Sequence, residues 1–295
     1  MSIAEGKIKA FIIMTKMKTS KTKSQVWVVE NGTIRHRFDQ VTTEEPLEIR
    51  LVNPHKTLAV TMRSPGHDFE LVAGFLYGEG VITKREDIRK ISYCVNPEVD
   101  GEQRENIVNI ELQDHLNFDL QPLERHFYTS SACGVCGKAN LDALRLKGYP
   151  LINSDIQVSP EVIYELPQKL KEAQKIFAKT GGLHAAGLFD SEGKLLLLRE
   201  DIGRHNAVDK LIGSVLLNGE LPLSENILMV SGRSSFEILQ KSLVAGIPIV
   251  CAVSAPSSLA VSLAQEFGIT LIGFLREERF NIYTGMEKIK LPKLN

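Results

Sequence analysis

Two cysteines with two residues between them are the first candidates for chemistry in this chain. Cys133 and Cys136 stand in Thr129-Ser-Ser-Ala-Cys-Gly-Val-Cys-Gly-Lys138, just ahead of a stretch with helical spacing of apolar residues, Lys138–Lys147. Amides at a helix start favour an anion and lower a thiol pKa from about 8.5 into the range of about 3.5–7.5. Gly134 and Gly137 leave the sulfurs uncovered, and Lys138 adds a positive charge. Such a thiolate accepts sulfane sulfur and passes it on, and a second thiol resolves the product by exchange. The pair also fits half of a zinc site, a redox couple or two buried thiols. Zinc needs about four ligands, and no second Cys-x-x-Cys or matching His pair is visible.

Two further groups of residues carry charge or hydroxyls at turns. His184 follows Thr180-Gly-Gly-Leu, and Glu200-Asp-Ile-Gly-Arg-His-Asn206 brings Asp201, Arg204 and His205 to the start of a helix. These side chains either line a polar pocket near the thiols or, for Asp201 and Asn206, cap the helix. Ser231, Gly232, Arg233, Ser234 and Ser235 end one strand and open the next helix, where free amides, an Arg fork and hydroxyls suit a phosphate. The spacing is not that of a Walker loop. Ser254-Ala-Pro-Ser-Ser258 repeats the pattern, and Gly273-Phe-Leu-Arg-Glu-Glu-Arg279 ends a third strand. Helix caps use the same residue types singly. Three such turns at C-terminal strand ends point to one anionic ligand in a shared crevice.

The elements that must hold these turns follow from periodicity. Gln25–Val29, Leu47–Val52, Thr57–Arg63 and Ile107–Leu112 read as strands, and Asp68 reads as the N-cap of a helix over Phe69–Tyr77. Helical spacing covers Pro160–Lys179, and Ala185–Phe189 with Lys194–Arg199 flanks a hairpin turn. Then come helix Asn206–Leu217, strand Asn226–Val230, helix Phe236–Ala245, strand Ile249–Val253, helix Ser257–Glu266 and strand Thr270–Phe274. Such alternation implies parallel strands covered on both faces. The expected organisation is a basic mobile tail over 1–24, a small α+β domain over 25–127 and an α/β domain over 128–295.

Composition bounds the function. With 35 basic and 36 acidic residues the net charge is -1, which gives no reason to expect a nucleic acid partner. No apolar run reaches the roughly 20 residues of a membrane span, and four cysteines, only two of them close together, suit a reducing cytoplasm. Cys94 and Cys251 lie in apolar surroundings and read as buried packing residues.

Taken in order, these segments resemble the formate dehydrogenase accessory sulfurtransferases (the FdhD type). The resemblance runs through Ser64-Pro-Gly-His-Asp to Gly80-Val-Ile82, the Cys-Gly-Val-Cys-Gly loop, Gly182-Leu-His-Ala-Ala186, Glu200 to Lys210, Ser231 to Lys241, and Ala252 through Gly273-Phe274. It implies sulfur accepted from a cysteine desulfurase and delivered to the molybdenum (or tungsten) bis(molybdopterin guanine dinucleotide) cofactor, bound as cargo, for the formate dehydrogenase apoenzyme. It also implies a cytoplasmic homodimer, a cytidine-deaminase-like three-layer C-terminal domain and no structural metal. By the same resemblance Cys133 is the persulfide-bearing nucleophile and Cys136 its second thiol. Ile272, Gly273, Phe274, Leu275, Arg276 and Glu277, with Arg279 close by, are the cofactor-binding stretch. Ser231, Gly232, Arg233 and Ser234 hold a guanine nucleotide portion, with His184, Arg204 and His205 on the same ligand. Two rivals are a non-catalytic cofactor chaperone and a redox switch. A zinc deaminase is disfavoured, because His184 is followed by Ala185-Ala186 rather than by x-Glu, and Ala132 replaces the Pro before the first Cys.

Overall fold

The structure, a computed structural model, describes residues 18–114, 116 and 137–291. Cys133 and Cys136, with the residues that precede them from 117 on, lie outside the described residues. A hairpin of β1 (Lys21–Glu30) and β2 (Thr33–Thr42) comes first, turning through Asn31 and Gly32, both at positive φ. Lys21 and Lys23, read from sequence as tail, therefore belong to a strand, and β2 is an element that the sequence reading lacks. The reason is its composition: Arg35, His36 and Arg37 interrupt the apolar residues, and almost the whole strand is exposed.

A four-stranded sheet follows, of β3 (Glu45–Leu51), β4 (Lys56–Arg63), β5 (Ile88–Tyr93) and β6 (Ile107–Leu112) in the order β4-β3-β6-β5. Helix α1 (Asp68–Glu79) leaves it between β4 and β5. Asp68 is not its cap. His67 holds that position at φ 59, and Asp68 turns inward to a bidentate pair with the buried Arg63.

The remaining strands form one mixed sheet, β12-β11-β10-β9-β7-β8, made of β7 (His184–Phe189), β8 (Leu195–Asp201), β9 (Ile227–Val230), β10 (Ile249–Ala252), β11 (Thr270–Arg276) and β12 (Arg279–Thr284). Only β9, β10 and β11 are mutually parallel; β7, β8 and β12 run against their neighbours. The parallel arrangement expected of the alternating strands thus holds for β9, β10 and β11, β7 and β8 form the hairpin expected from their turn, and β12 is a further strand that the sequence reading lacks. The connections β9–β10 and β10–β11 contain helices long enough for a crossover, whereas β7–β8 and β11–β12 are tight turns that force antiparallel pairing.

Each face of this sheet is covered. Helix α3 (Pro160–Ala173) packs Ile163, Leu166 and Leu170 against Ile227, Met229, Ile249, Cys251 and Ile272. Alternate residues Leu228 and Val230 face the other way, into a second cluster with α4 (Arg204–Asn218), α5 (Phe236–Val244) and α6 (Ser258–Phe267). That cluster continues through Leu71 and Leu76 of α1 to Leu47 and Ile49 of β3, so one apolar mass joins both sheets. Helix α2 (Gly137–Leu146) adds Leu144 to it. The helix expected over Pro160–Lys179 stops at Ala173, because the Glu200 carboxylate accepts the amides of Ile176 and Phe177 and starts a separate turn there. Burial pushes the Cys251 thiol upward and removes it from reactive chemistry, as expected of a packing residue. Among the described residues, no helix is long and apolar enough to cross a membrane.

The contact that joins the halves is the crossing of α1 on α4. A Cβ on Gly74 would overlap the Asp209 carbonyl, and one on Gly213 would overlap the Glu70 carbonyl. Neither helix can move away without opening a core that includes Val208, Leu211, Ile212 and Val215, each buried and each contributing about 1.5–3 kcal/mol. Gly213→Ala is therefore expected to lower unfolding stability by about 3 kcal/mol or more. Gly101→Ala, where an added Cβ meets nothing, should stay within about 0.5 kcal/mol of wild type. Urea denaturation of the two variants measures the difference.

Candidate functional site

The three turns singled out from the sequence meet at one edge of the mixed sheet. Pairing of β7 with β9 sets Ala186 opposite Val230, and pairing of β7 with β8 sets His184 opposite Asp201. The start of β7, the end of β8 and the C-terminal ends of β9, β10 and β11 consequently share that edge. Backbone hydrogen bonds tie the turns together: Ser257 N donates to Ser234 O at 2.9 Å, and Phe274 N donates to Ser254 O at 3.2 Å. Helices α4, α5 and α6 all begin here, each with its first amides unused by its own backbone ladder.

The Glu200–Lys210 segment divides into residues that build and residues that remain available. Asp201 is fully buried and spoken for, accepting from Lys210 Nζ at 2.6 Å, Ser64 N at 3.1 Å, Gly203 N at 2.8 Å and Asn206 Nδ2 at 3.0 Å. Lys210 also donates to Ser64 O, and Asn206 donates to Met62 O. The expectation that Asp201 lines an open pocket is corrected: it fastens the Ser64 loop to the start of α4. Arg204, on that first turn, keeps a buried Nε with no partner among the described residues. His184 and Arg204 approach Gly232 closely; a Cβ there would lie 3.4 Å from His184 Nδ1 and 3.5 Å from Arg204 Cδ. Gly232 lets the Ser231–Ser235 turn descend onto both.

Within that turn the side chains differ. Ser231 Oγ accepts from Ala185 N at 2.9 Å and is used in fixing the turn to β7. Arg233 is exposed. Ser234 is fully buried, and its Oγ has no partner among the described residues. His205 lies between two groups, with Nε2 2.9 Å from Ser235 Oγ and Nδ1 3.1 Å from Glu237 Oε2. Burial, opposed by Glu237 and reinforced by Arg204, Lys241 and His184, pushes the His205 pKa down to about 4. Burial and Arg204 lower His184 also, against Asp201. Glu237 falls within the Ser231–Lys241 segment, but the sequence reading gives it no role. Its signal was present only as an acidic residue in the first turn of α5.

The Ile272–Glu277 stretch is of mixed character. Ile272 and Leu275 are both core residues of the α3 face, so their side chains cannot reach a ligand; three residues apart, they share that face because the register shifts between Gly273 and Arg276, where Phe274 takes positive φ. Gly273 passes tightly between Pro256, Ser254 and Tyr283. Phe274 sits at φ 52 with 40% of its surface exposed, a backbone region that is costly for a residue with a large side chain. It lines a cleft of about 220 Å³ with Arg276, Arg279 and Asn281. Arg276 is anchored by donating to Val253 O at 2.5 Å and Leu275 O at 2.9 Å. Glu277 lies exposed in the turn to β12.

Fold and edge together describe an α/β protein that gathers cationic and hydroxyl side chains, with several helix starts, on one rim of a mixed sheet. The chain belongs to the FdhD/NarQ family, whose model matches residues 42–290. It is similar to the sulfur carrier protein FdhD of Streptomyces coelicolor, 49% identical over 265 residues covering 89% of this chain and 93% of the relative. The protein of the same name from Sulfurisphaera tokodaii is 46% identical over 266 residues, 90% of this chain and 97% of that one. The crystal structure of a Desulfotalea psychrophila protein, named for a formate dehydrogenase accessory role, superposes with a TM-score of 0.69 at 26% identity, covering 91% of this chain and 99% of that chain.

The depressed His205 fixes a sign for stability. Its folded value of about 4 lies below the ordinary 6.5, so the fold favours the neutral ring. That contribution is full above pH 6.5 and is lost as pH falls from 6.5 through 4. It amounts to ~3 kcal/mol. Thermal melts from pH 7 to 4 should show a smaller loss in His205→Gln than in wild type, the difference arising inside that window.

Proposed function

We propose that this protein is a sulfur carrier that accepts persulfide sulfur on Cys133 from a cysteine desulfurase. It then delivers the sulfur to the molybdenum bis(molybdopterin guanine dinucleotide) cofactor that formate dehydrogenase requires. The observation that carries the reading is the rim on which Arg204 Nε and Ser234 Oγ, both buried, lack partners among the described residues beside three helix starts. An anion with several phosphates supplies what those groups need. Membership of a family whose curated relatives are named sulfur carriers supports the rest.

In this scheme the cargo is substrate, and the chain's own groups hold it. Arg233 and the amides at the start of α5 take phosphate oxygens, while Arg276 and Arg279 line the neighbouring cleft. Phe274, exposed and held in a strained conformation, offers a face on which a guanine can stack. The layered C-terminal portion, with α3 on one face and α4–α6 on the other, supports a cytidine-deaminase-like arrangement. A soluble homodimer working in the cytoplasm completes the proposal.

The sulfur step balances atom for atom, and each turnover leaves a disulfide that a dithiol reductant reopens. The Cys133 thiolate attacks the terminal sulfur of the donor persulfide and releases the donor thiolate. The Cys136 thiol then attacks the inner sulfur of the Cys133 persulfide. A Cys133–Cys136 disulfide forms, and hydrosulfide leaves to become the metal's sulfido ligand. The helix that starts at Gly137, directly after Cys136 in the sequence, favours the thiolate form.

Intact-mass spectrometry after incubation with a cysteine desulfurase and cysteine tests the carrier. Wild type should gain one sulfur atom and Cys133→Ala none; an equal gain on both places the sulfur elsewhere. Binding of guanosine diphosphate tests the rim. Arg233→Ala should weaken it about tenfold, the loss of one charge-assisted hydrogen bond. Unchanged affinity removes Arg233 from the ligand.

A further inference from the structure

Ser235 begins α5 at the N-cap position, yet its hydroxyl makes no cap hydrogen bond. It turns instead to His205, 2.9 Å from Nε2, while Nδ1 of the same ring lies 3.1 Å from Oε2 of Glu237. A carboxylate can only accept, so Nδ1 carries the proton, and in the neutral ring Nε2 accepts from the Ser235 hydroxyl. The ring's depressed pKa keeps it in that neutral form near pH 7. Hydroxyl, imidazole and carboxylate are therefore aligned in the order that activates a serine nucleophile.

The surroundings favour the same chemistry. Ser235 is half-buried, in the turn that leads from β9 into α5. The first amides of α5 are left uncapped by the Ser235 side chain. Arg204 Nε and Ser234 Oγ, buried and without partners among the described residues, belong to the same edge. Arg204 and the exposed Arg233 give that edge a preference for an anionic reactant.

We infer that Ser235, His205 and Glu237 form an acyl-transfer site, with Ser235 as nucleophile, His205 as base and Glu237 as the group that orients the ring. It takes an activated ester or thioester whose leaving group carries phosphate. This activity lies beyond sulfur carriage and uses neither cysteine of the Cys133–Cys136 pair. In the step, Ser235 Oγ bonds to the carbonyl carbon and its proton passes to His205 Nε2. The carbon–sulfur or carbon–oxygen bond breaks, and the leaving thiol or alcohol takes the proton from Nε2. Water then repeats the sequence, releasing the acid and restoring the serine.

A fluorophosphonate probe on the full-length protein, with peptide mass mapping, tests the nucleophile. The expected result is one adduct, on Ser235, absent from Ser235→Ala. Labelling should slow about 100-fold in His205→Gln. Glu237→Gln, altered at a side chain that is 55% exposed, keeps the fold and should also slow labelling. No adduct on wild type, or a rate unchanged in both variants, overturns the site. Acetyl coenzyme A tests the substrate class through release of its thiol. Release no faster than from Ser235→Ala overturns that class even where the label is found. Sulfur gain on Cys133 is read separately by mass, so the two proposals fail independently.

Discussion

The close crossing of α1 over α4 is the constraint on which the rest of the molecule depends. Gly74 and Gly213 remove the side chains that would separate the two backbones, so Glu70 and Asp209 lie against the opposite helix. From that contact the polar ties follow. Arg199 reaches across to Glu70 with two hydrogen bonds, and this fork, with His67, holds the Glu70 carboxyl at about 2 despite the burial that opposes it. Lys241 meets Asp209 at 2.6 Å beneath Gly78, where an added Cβ would crowd the ammonium. Arg204 and His205 sit on the first turn of α4. The crossing therefore sets their position relative to the turn that ends β9.

Three buried ion pairs cluster along this seam: Arg63 with Asp68, Lys210 with Asp201, and Lys241 with Asp209. Apolar residues of equal volume would hold the seam at least as strongly, since desolvation offsets most of the attraction. What charges add is direction. Lys210 and Asp201 together bind both the amide and the carbonyl of Ser64, so that loop has one register against α4. Removing one partner alone would leave the other uncompensated, which is far more damaging than removing both.

Much of this was legible in the sequence. Glycine, serine and proline at strand ends mark turns by local conformational preference, and preference survives folding. The Ser231–Ser235 and Ser254–Ser258 turns and the strands that feed them were therefore readable. Strand β2 was not, because a hairpin exposed on both faces needs no apolar alternation. The break after Ala173 was hidden for another reason: it depends on Glu200, distant in sequence. The roles within Glu200–Lys210 were equally closed to inspection. Asp201, Arg204 and His205 are alike as polar residues in a turn, and only three-dimensional partners separate the one spent on Lys210 and Ser64 from the two left at the rim. Ile272 and Leu275 show the reverse case, where a binding stretch contains residues whose side chains serve the core.

The hairpin of β1 and β2 carries a different kind of information. Trp27 is the chain's single tryptophan, and it stands 71% exposed beside His36, with Val29, Ile34 and Phe38 also exposed on the hairpin. An indole so placed emits from a water-like setting whether or not the two apolar cores are intact. The protein's intrinsic tryptophan fluorescence is thus a local reporter of whatever meets the hairpin, and among the described residues the optical signature of the core falls to tyrosines, Tyr77 within it and Tyr93 and Tyr149 packed against it.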